Sequence, residues 1–284
     1  MPRPDEISVM GIINLTDDSF YSGSRLLNPQ GKTDTASAVG MARAHIEGGA
    51  SILDIGACST RPGSVPVSEK EEWSRLEPAL LAIRETFPDI SISVDTFRSG
   101  IARKCHSLIG GFIVNDISAG EDDADMLDTV GSLGLGYVAM HKRGTPATMQ
   151  SLTDYEPLDP HSSLSPVTQN VLEYFRKFAS RASACGIRDW ILDPGFGFSK
   201  TIGQNYELLR ELSHLSILGR PVLAGISRKS MIYKYLNITP EESLPATSAL
   251  HMEALRGGAA ILRVHDAAEA TRCIRLFRAV SGQV

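Results

Sequence analysis

Residues 91–116 read SISVDTFRSGIARKCHSLIGGFIVND. Two short runs, Ser91–Asp95 and Phe112–Asp116, flank a stretch over residues 98–109 that reads as helix. Both runs have the length and the Ile/Val content of strands. Each closes on polar side chains, Asp95 in the first and Asn115 with Asp116 in the second. A strand, a helix and a second strand in so short a span predict a parallel pair with the helix covering one face. The same unit repeats outward in both directions. Strands are expected at Ile7–Asn14, Ser51–Gly56, Gly136–His141, Trp190–Gly195, Pro221–Ser227 and Ile261–Asp266. Helices are expected over residues 33–48, 67–87, 124–133, 165–187, 204–217, 246–257 and 267–280. In the second of these, Trp73, Leu76, Leu80, Ile83 and Phe87 recur at helical spacing, with Ser68 and Glu71 placed for a capping box. Val167, Val171, Tyr174, Phe175 and Phe178 form a similar stripe in 165–187.

A chain of 284 residues is long enough for two modest domains or for one α/β barrel. Eight alternating βα units favour the barrel, so the fold class expected is α/β, a (β/α)8 TIM barrel forming a single domain over residues 1–284. No G-x-G-x-x-G follows the first strand, which counts against a dinucleotide-binding sheet. Hydrophobic residues make up 42% of the chain and charged residues 21%, so it does not have the composition of a disordered protein. The formal net charge of −5 speaks against a nucleic-acid partner. The four cysteines, Cys58, Cys105, Cys185 and Cys273, are scattered and form no C-x-x-C. That pattern suggests a reducing compartment and neither a zinc site nor a disulfide framework. With no signal-peptide pattern and no membrane-length apolar run, a cytoplasmic protein is expected.

The polar residues are the informative ones. Strand ends carry Asn14, Asp95, Asn115, His141, Asp193, Ser227, Arg263 and His265, and the second strand leads through Gly56 into Ser59, Thr60 and Arg61. One such residue could be a loop cap, but a ring of them at strand ends defines a mouth. Long connections after strands one, two and seven, at 15–32, 57–66 and 229–245, would open on the same face. Ser91, Ser93 and Asp95 share one face of their strand, as do Arg263 and His265 of theirs. Asp95, Asn115 and Asp193 offer acceptors for a ligand rich in N–H groups. Arg61, Lys229, Arg263 and His265 offer donors to an anion. A flat nitrogen heterocycle bearing a phosphate would satisfy both halves. No P-loop, H-E-x-x-H or G-x-S-x-G motif is present. Cys58 reads as a small buried residue. His45, His106, His161, His214 and His251, with Trp73 and Trp190, read as helix, loop or packing residues.

Taken in order, these motifs resemble the dihydropteroate synthase family over almost the full chain. The resemblance rests on Met10–Thr16 with Asp18–Phe20, Gly49–Gly56 with Ser59–Gly63, Ser93–Thr96, Asn115–Ser118, Met140–His141, Asp193–Phe198, Gly225–Ser230 and Arg263–Asp266. It implies condensation of 6-hydroxymethyl-7,8-dihydropterin pyrophosphate with p-aminobenzoate, releasing dihydropteroate and pyrophosphate. It implies that Asp95, Asn115, Asp193, Lys229 and Val264 bind the pterin. Arg263 and His265, with Thr60 and Arg61, would bind the pyrophosphate, and Asn14 would help hold Mg²⁺. Arg61, Pro62, Phe198, Ser227 and Lys229 would frame the p-aminobenzoate site. A homodimer is also implied. Several positions depart from the family pattern: Asp17, Tyr21–Gly23, Lys142, Arg143, Ser199 and Gln204. None falls on an assigned residue. Two alternatives stay open at this point, a methyltetrahydrofolate-dependent methyltransferase and a catalytically silent pterin-binding paralogue.

Overall fold

The computed structural model describes residues 7–16, 26, 31–59, 67–145 and 147–282. Its eight parallel strands close in sequence order, each hydrogen-bonded to the next and β8 to β1. They are β1 (Ser8–Asn14), β2 (Ile52–Gly56), β3 (Ser91–Asp95), β4 (Ile113–Asp116), β5 (Gly136–Met140), β6 (Trp190–Asp193), β7 (Val222–Ala224) and β8 (Ala259–Val264). The helices are α1 (Thr35–Glu47), α2 (Glu69–Thr86), α3 (Ser99–Ile109), α4 (Met126–Leu133), α5 (Pro166–Ala184), α6 (Ile202–Arg210), α7 (Ser230–Leu236), α8 (Leu244–Arg256) and α9 (Ala267–Val280). The (β/α)8 barrel expected from the alternation is the architecture observed.

Side-chain alternation along the strands makes two cores. Inside the barrel, Met10, Ile52, Ile113, Val138, Ile191, Leu223 and Ile261 form an apolar plug. Between strands and helices lies the larger layer, which takes Ile13, Leu53, Ile55, Val94, Val114, Tyr137, Leu192 and Val264 from the strands. It takes Leu76, Leu80 and Ile83 from α2, and Val167, Val171, Phe175 and Phe178 from α5. Both stripes are the ones the helical spacing predicts. Trp190 packs edge-on to Phe178 at 4.9 Å, in keeping with a packing role. Close approach fixes some positions by size alone. A Cβ on Gly11 would lie 2.5 Å from the ring of His45, whose Nε2 is 2.9 Å from the Ile12 carbonyl.

The structure alters four local expectations. First, the stretch 229–245 holds α7 and a 3₁₀ turn at Glu241–Ser243 instead of a long open loop. Its helix has only 7 residues and sits between Arg228 and Asn237, both at positive φ. So brief a segment shows no helical stripe. Second, Ser68 accepts from Glu71 N at 3.2 Å, but the Glu71 carboxylate turns to Arg75, so the reciprocal half of the capping box is missing. A complete box forms instead at Thr201 and Gln204. Third, Val264 is buried in the outer layer, so its side chain faces away from the mouth and only its backbone could reach a ligand there.

Fourth, Asp116 also points outward. It accepts from Ser118 N and Oγ at 2.7 Å, from Gly120 N at 2.8 Å and from Tyr137 Oη at 2.6 Å. Burial pushes its carboxyl pKa up, with Tyr137 and Ser118 opposing the shift. Asp116 therefore builds the turn after β4. Tyr137→Phe removes a donor from this buried carboxylate and is expected to destabilise the fold by about 1–3 kcal/mol, read as a lower midpoint in urea unfolding with an unchanged slope.

Candidate active site

Above the apolar plug, the next inward-facing layer is polar. The register brings Asn14 beside Gly56, Gly56 beside Asp95 and Asp95 beside Asn115. It also sets Asp54 beside Ser93 and Arg263 beside Met10. From β8 the Arg263 side chain reaches across β1 to two carboxylates. Its Nε donates to Asp54 Oδ2 at 2.6 Å, and the guanidinium donates to Asp95 Oδ2 at 2.9 Å. Asp54 also accepts from Ser93 Oγ at 2.6 Å and from Asn115 Nδ2 at 3.0 Å. With a side chain 0% exposed, it is the anchor of the layer.

This arrangement decides the charges. Burial pushes the Asp95 carboxyl up from its ordinary range; Arg263 opposes the shift, and the neighbouring Asp54 adds to it. Burial also works against the charge on Arg263, yet Asp54 and Asp95 hold its pKa above the ordinary arginine value. The result is a fixed cation between two carboxyl groups, with one face of Asp95 turned to the mouth, its side chain 13% exposed.

On the far side, Asp193 ends β6 and accepts from Gly195 N at 2.8 Å. A Cβ added to Gly225 would lie 3.8 Å from Lys229 Nζ and 3.9 Å from Asp193 Oδ2, so both groups converge on the open face of that glycine. Burial raises the Asp193 pKa against the pull of Lys229. Burial also lowers Lys229 to about 8, with Asp193 opposing. The Lys229 ammonium donates to Phe196 O at 2.5 Å and stands 4.8 Å from the centre of the Phe198 ring. Next to it, Ser227 Oγ lies 3.1 Å from His265 Nδ1, and His265 is exposed at the rim. Arg228 uses its fork on Asp266, at 2.8 Å for each bond, which joins the β7 and β8 ends.

The structure thus brings Asp95, Asn115, Asp193, Ser227, Lys229, Arg263, His265, Phe198 and Asn14 to one end of the barrel. Thr60, Arg61 and Pro62 lie outside the described residues, as does Asp17. Lys142 is buried and pairs with Asp122 at 3.0 Å. Arg143 stacks over Tyr155 at 5.0 Å. Both departures are therefore tied into the β5 side of the barrel. Cys58 is buried and its pKa is raised, chiefly by burial, which leaves it a poor nucleophile.

Sequence reasoning passed over two residues. Asp54 sits two positions before the strand end, where it reads as one more alternation position. Only its parity with Gly56, paired to Asp95, could have pointed to it. Lys200 follows the Phe198 loop and reads as a solvent lysine, but it is 4% exposed. Among the described residues, no cluster of three or more His, Cys, Asp or Glu side chains is arranged to hold a metal ion.

Residues 10–265 match the family described as pterin binding enzyme. The dihydropteroate synthase of Synechocystis sp. is 41% identical over 261 residues, covering 91% of this chain and 84% of that protein. The Escherichia coli K12 dihydropteroate synthase is 38% identical over 274 residues, covering 95% of this chain and 90% of that one. Among solved structures, Yersinia pestis dihydropteroate synthase in a sulfonamide drug complex superposes with a TM-score of 0.86 at 33% identity, covering 98% of this chain and 96% of that one. Xanthomonas albilineans dihydropteroate synthase with 4-aminobenzoic acid gives 0.84 at 33% identity, covering 98% and 94%. A barrel with this mouth belongs to the pterin-binding enzymes, and the chain is a member of that family. Within it, the chain falls with the dihydropteroate synthases, transferases of folate synthesis.

The hydrogen bonds at Asp54 change what an Arg263 variant should do. Were Arg263 a ligand of the pyrophosphate alone, Arg263→Ala would cost turnover more than pterin binding. In the structure it strands two buried carboxylates, a loss of roughly 3–5 kcal/mol. Arg263→Ala is therefore expected to weaken pterin binding as well as turnover. Asp54→Asn, which keeps the shape, should lower kcat/KM for the pterin substrate by roughly tenfold or more. Calorimetric titration of a pterin into each variant checks both; wild-type affinity in Arg263→Ala would contradict the coupling.

Proposed function

We propose that this mouth joins 6-hydroxymethyl-7,8-dihydropterin pyrophosphate to p-aminobenzoate. The observation that carries the assignment of sub-sites is the Arg263 bridge between Asp54 and Asp95, with Asp193 and Lys229 facing it across the barrel. The pterin's amino-pyrimidinone edge presents parallel N–H groups, and a buried carboxylate accepts such a pair in the plane of the ring. Asp95, Asn115 and Asp193 supply the acceptors and the amide, and Lys229 donates to a ring oxygen or nitrogen. Because the plug beneath is apolar, these bonds form away from bulk water, where they count for more.

The arylamine nitrogen attacks the exocyclic methylene. The carbon–oxygen bond breaks, its electron pair leaves with the pyrophosphate, and the new ammonium loses a proton to water. An arylamine is already a free base near neutral pH, so no strong general base is required. The rate then depends on holding amine and methylene in line and on stabilising charge on the departing oxygen. His265 at the rim, the outward donors of Arg263, and Thr60 and Arg61 are assigned to the pyrophosphate. Phe198, Ser227, Lys229, Arg61 and Pro62 are assigned to the p-aminobenzoate.

Asn14 fits a magnesium role in its donor chemistry. Its amide oxygen is a hard donor at the end of β1 and makes no hydrogen bond among the described residues. Mg²⁺ commonly takes one or two protein oxygens and completes its shell with water and substrate phosphate. When bound it would neutralise charge on the pyrophosphate.

Two further assignments go with this reading. The partner expected is a second copy of the chain, and Tyr235 and Leu236 on α7, 66% and 47% exposed, offer it an apolar face. Sedimentation of the wild type against Tyr235→Glu reads that assignment, and an unchanged oligomeric state removes it. Four free cysteines suit a reducing cytoplasm; cell fractionation reads it. No helix among the described residues is long and apolar enough to cross a membrane.

The assignment as a whole is tested by pyrophosphate release from the purified chain. Release should require both substrates and stop on chelation of Mg²⁺. Its kcat/KM for the pterin substrate should fall on the basic side near pH 8, as the depressed Lys229 loses its proton. It should fall on the acid side too, because raised carboxyl groups at Asp95 and Asp193 protonate at higher pH than exposed aspartates. Release with one substrate alone would exclude the reaction.

A further inference from the structure

Lys200 has no part in the chemistry above, yet it is placed with unusual economy. Its ammonium has three donors and three acceptors, each at 3.0 Å: His141 Nδ1, Gly195 O and Phe198 O. Burial lowers its pKa to about 7, with Asp193 opposing the shift. Burial, together with the charge on Lys200, holds the His141 pKa well below its ordinary value, so the ring is neutral and Nδ1 can accept. The ring is set by Tyr174, edge-on at 4.9 Å, and by Tyr155 at 6.0 Å.

The loop that Lys200 grips follows β6 and carries Phe198. Its path leaves no room for variation at Gly195, where φ is +71° and a Cβ would lie 2.0 Å from the His141 carbonyl. Ser199, where the family commonly has Gly, has φ +51° and is fully buried. For a residue with a Cβ that conformation is strained by about 1 kcal/mol. The hydroxyl offsets it: Ser199 Oγ accepts from Arg143 N at 2.7 Å and lies 3.3 Å from Arg143 O. Two consecutive residues of the β6–α6 loop are therefore bonded to the segment following β5. From the other side, Lys229 holds the Phe196 carbonyl and stands over the Phe198 ring.

We propose that Lys200 is a positioning residue for the p-aminobenzoate pocket, holding the Gly195 and Phe198 carbonyls against His141 so that the Phe198 ring keeps its place, with Ser199–Arg143 as a second tie. The proposal rests on the assignment of Phe198 to that pocket. It separates the substrates by degree: Asp95, Asn115 and Arg263 stand on other strands, and Asp193 and Lys229 hydrogen-bond the loop at Gly195 N and Phe196 O, so loosening it at Phe198 acts chiefly on the arylamine.

The test compares Lys200→Met, Ser199→Gly and Phe198→Ala with the wild type by steady-state kinetics for both substrates. Lys200→Met keeps an unbranched side chain one heavy atom shorter and removes all three donors. It is expected to raise KM for p-aminobenzoate by about tenfold, on the order of one charge-assisted hydrogen bond. KM for the pterin substrate should stay within about twofold. Ser199→Gly suits the positive φ and should fold normally, with a smaller rise of about threefold for p-aminobenzoate alone. Where turnover is too slow to measure, p-aminobenzoate binding in the presence of pterin and pyrophosphate gives the same ratio. A Lys200→Met enzyme with unchanged KM for p-aminobenzoate, or with both KM values raised alike, overturns the proposal. If Lys200→Met does not fold, an unchanged Ser199→Gly overturns it. If Phe198→Ala leaves KM for p-aminobenzoate unchanged, the pocket assignment fails, and the proposal with it.

Discussion

Arg263 between Asp54 and Asp95 is the interaction on which the rest of the mouth depends. Three charges are held at the centre of a barrel whose floor is Met10, Ile52, Ile113, Val138, Ile191, Leu223 and Ile261. Two acidic side chains share one guanidinium, which offsets the cost of burying them together. The cation would not stay buried without them. Ser93 and Asn115 take the remaining acceptor capacity of Asp54. Asp95 is left bonded on one side and open to the mouth on the other. A pocket that must accept N–H groups from a planar ring needs such an acceptor, fixed in direction before the ligand arrives.

The opposite half of the mouth is held by other means. There, loops carry the functional groups, and buried lysines stitch them to the barrel. Lys229 bonds the Phe196 carbonyl, Lys200 bonds Gly195, Phe198 and His141, and Lys142 bonds Asp122 and Gly144. Arg228 does the same between the β7 and β8 ends through Asp266. A loop held at several backbone carbonyls behaves more like part of the scaffold than like a lid. The net charge of −5 gives no hint of this, because these cations are consumed by internal partners and local carboxylates.

Much of the site was visible in the chain before any coordinates. Asn14, Asp95, Asn115, Asp193 and Arg263 could be picked out because a strand ending in a polar residue breaks an otherwise apolar run, and the break repeats. What escaped notice obeys the same rules with weaker local signals. Asp116 looked like a partner of Asn115, yet the alternation of a strand sends neighbours to opposite faces, and Asp116 bonds Tyr137 instead. Asp54 lies inside a strand, where one polar residue among apolar ones has no end to mark it. The helix α7 is too short to show a period. Lys200 is indistinguishable from a surface lysine until its burial is known.

The chain by itself determined the strand and helix alternation, the closure of eight units into a barrel, and the end of the barrel at which the polar groups would gather. These follow from periodicity and from chain direction, which are local properties. Which groups touch was decided only by the tertiary structure. Arg263 meets Asp54 across 209 positions of sequence and Asp95 across 168. That meeting depends on the register of β1, β2, β3 and β8 and on the reach of one side chain across the barrel. Register and reach are set by closing the ring, and no segment carries them alone.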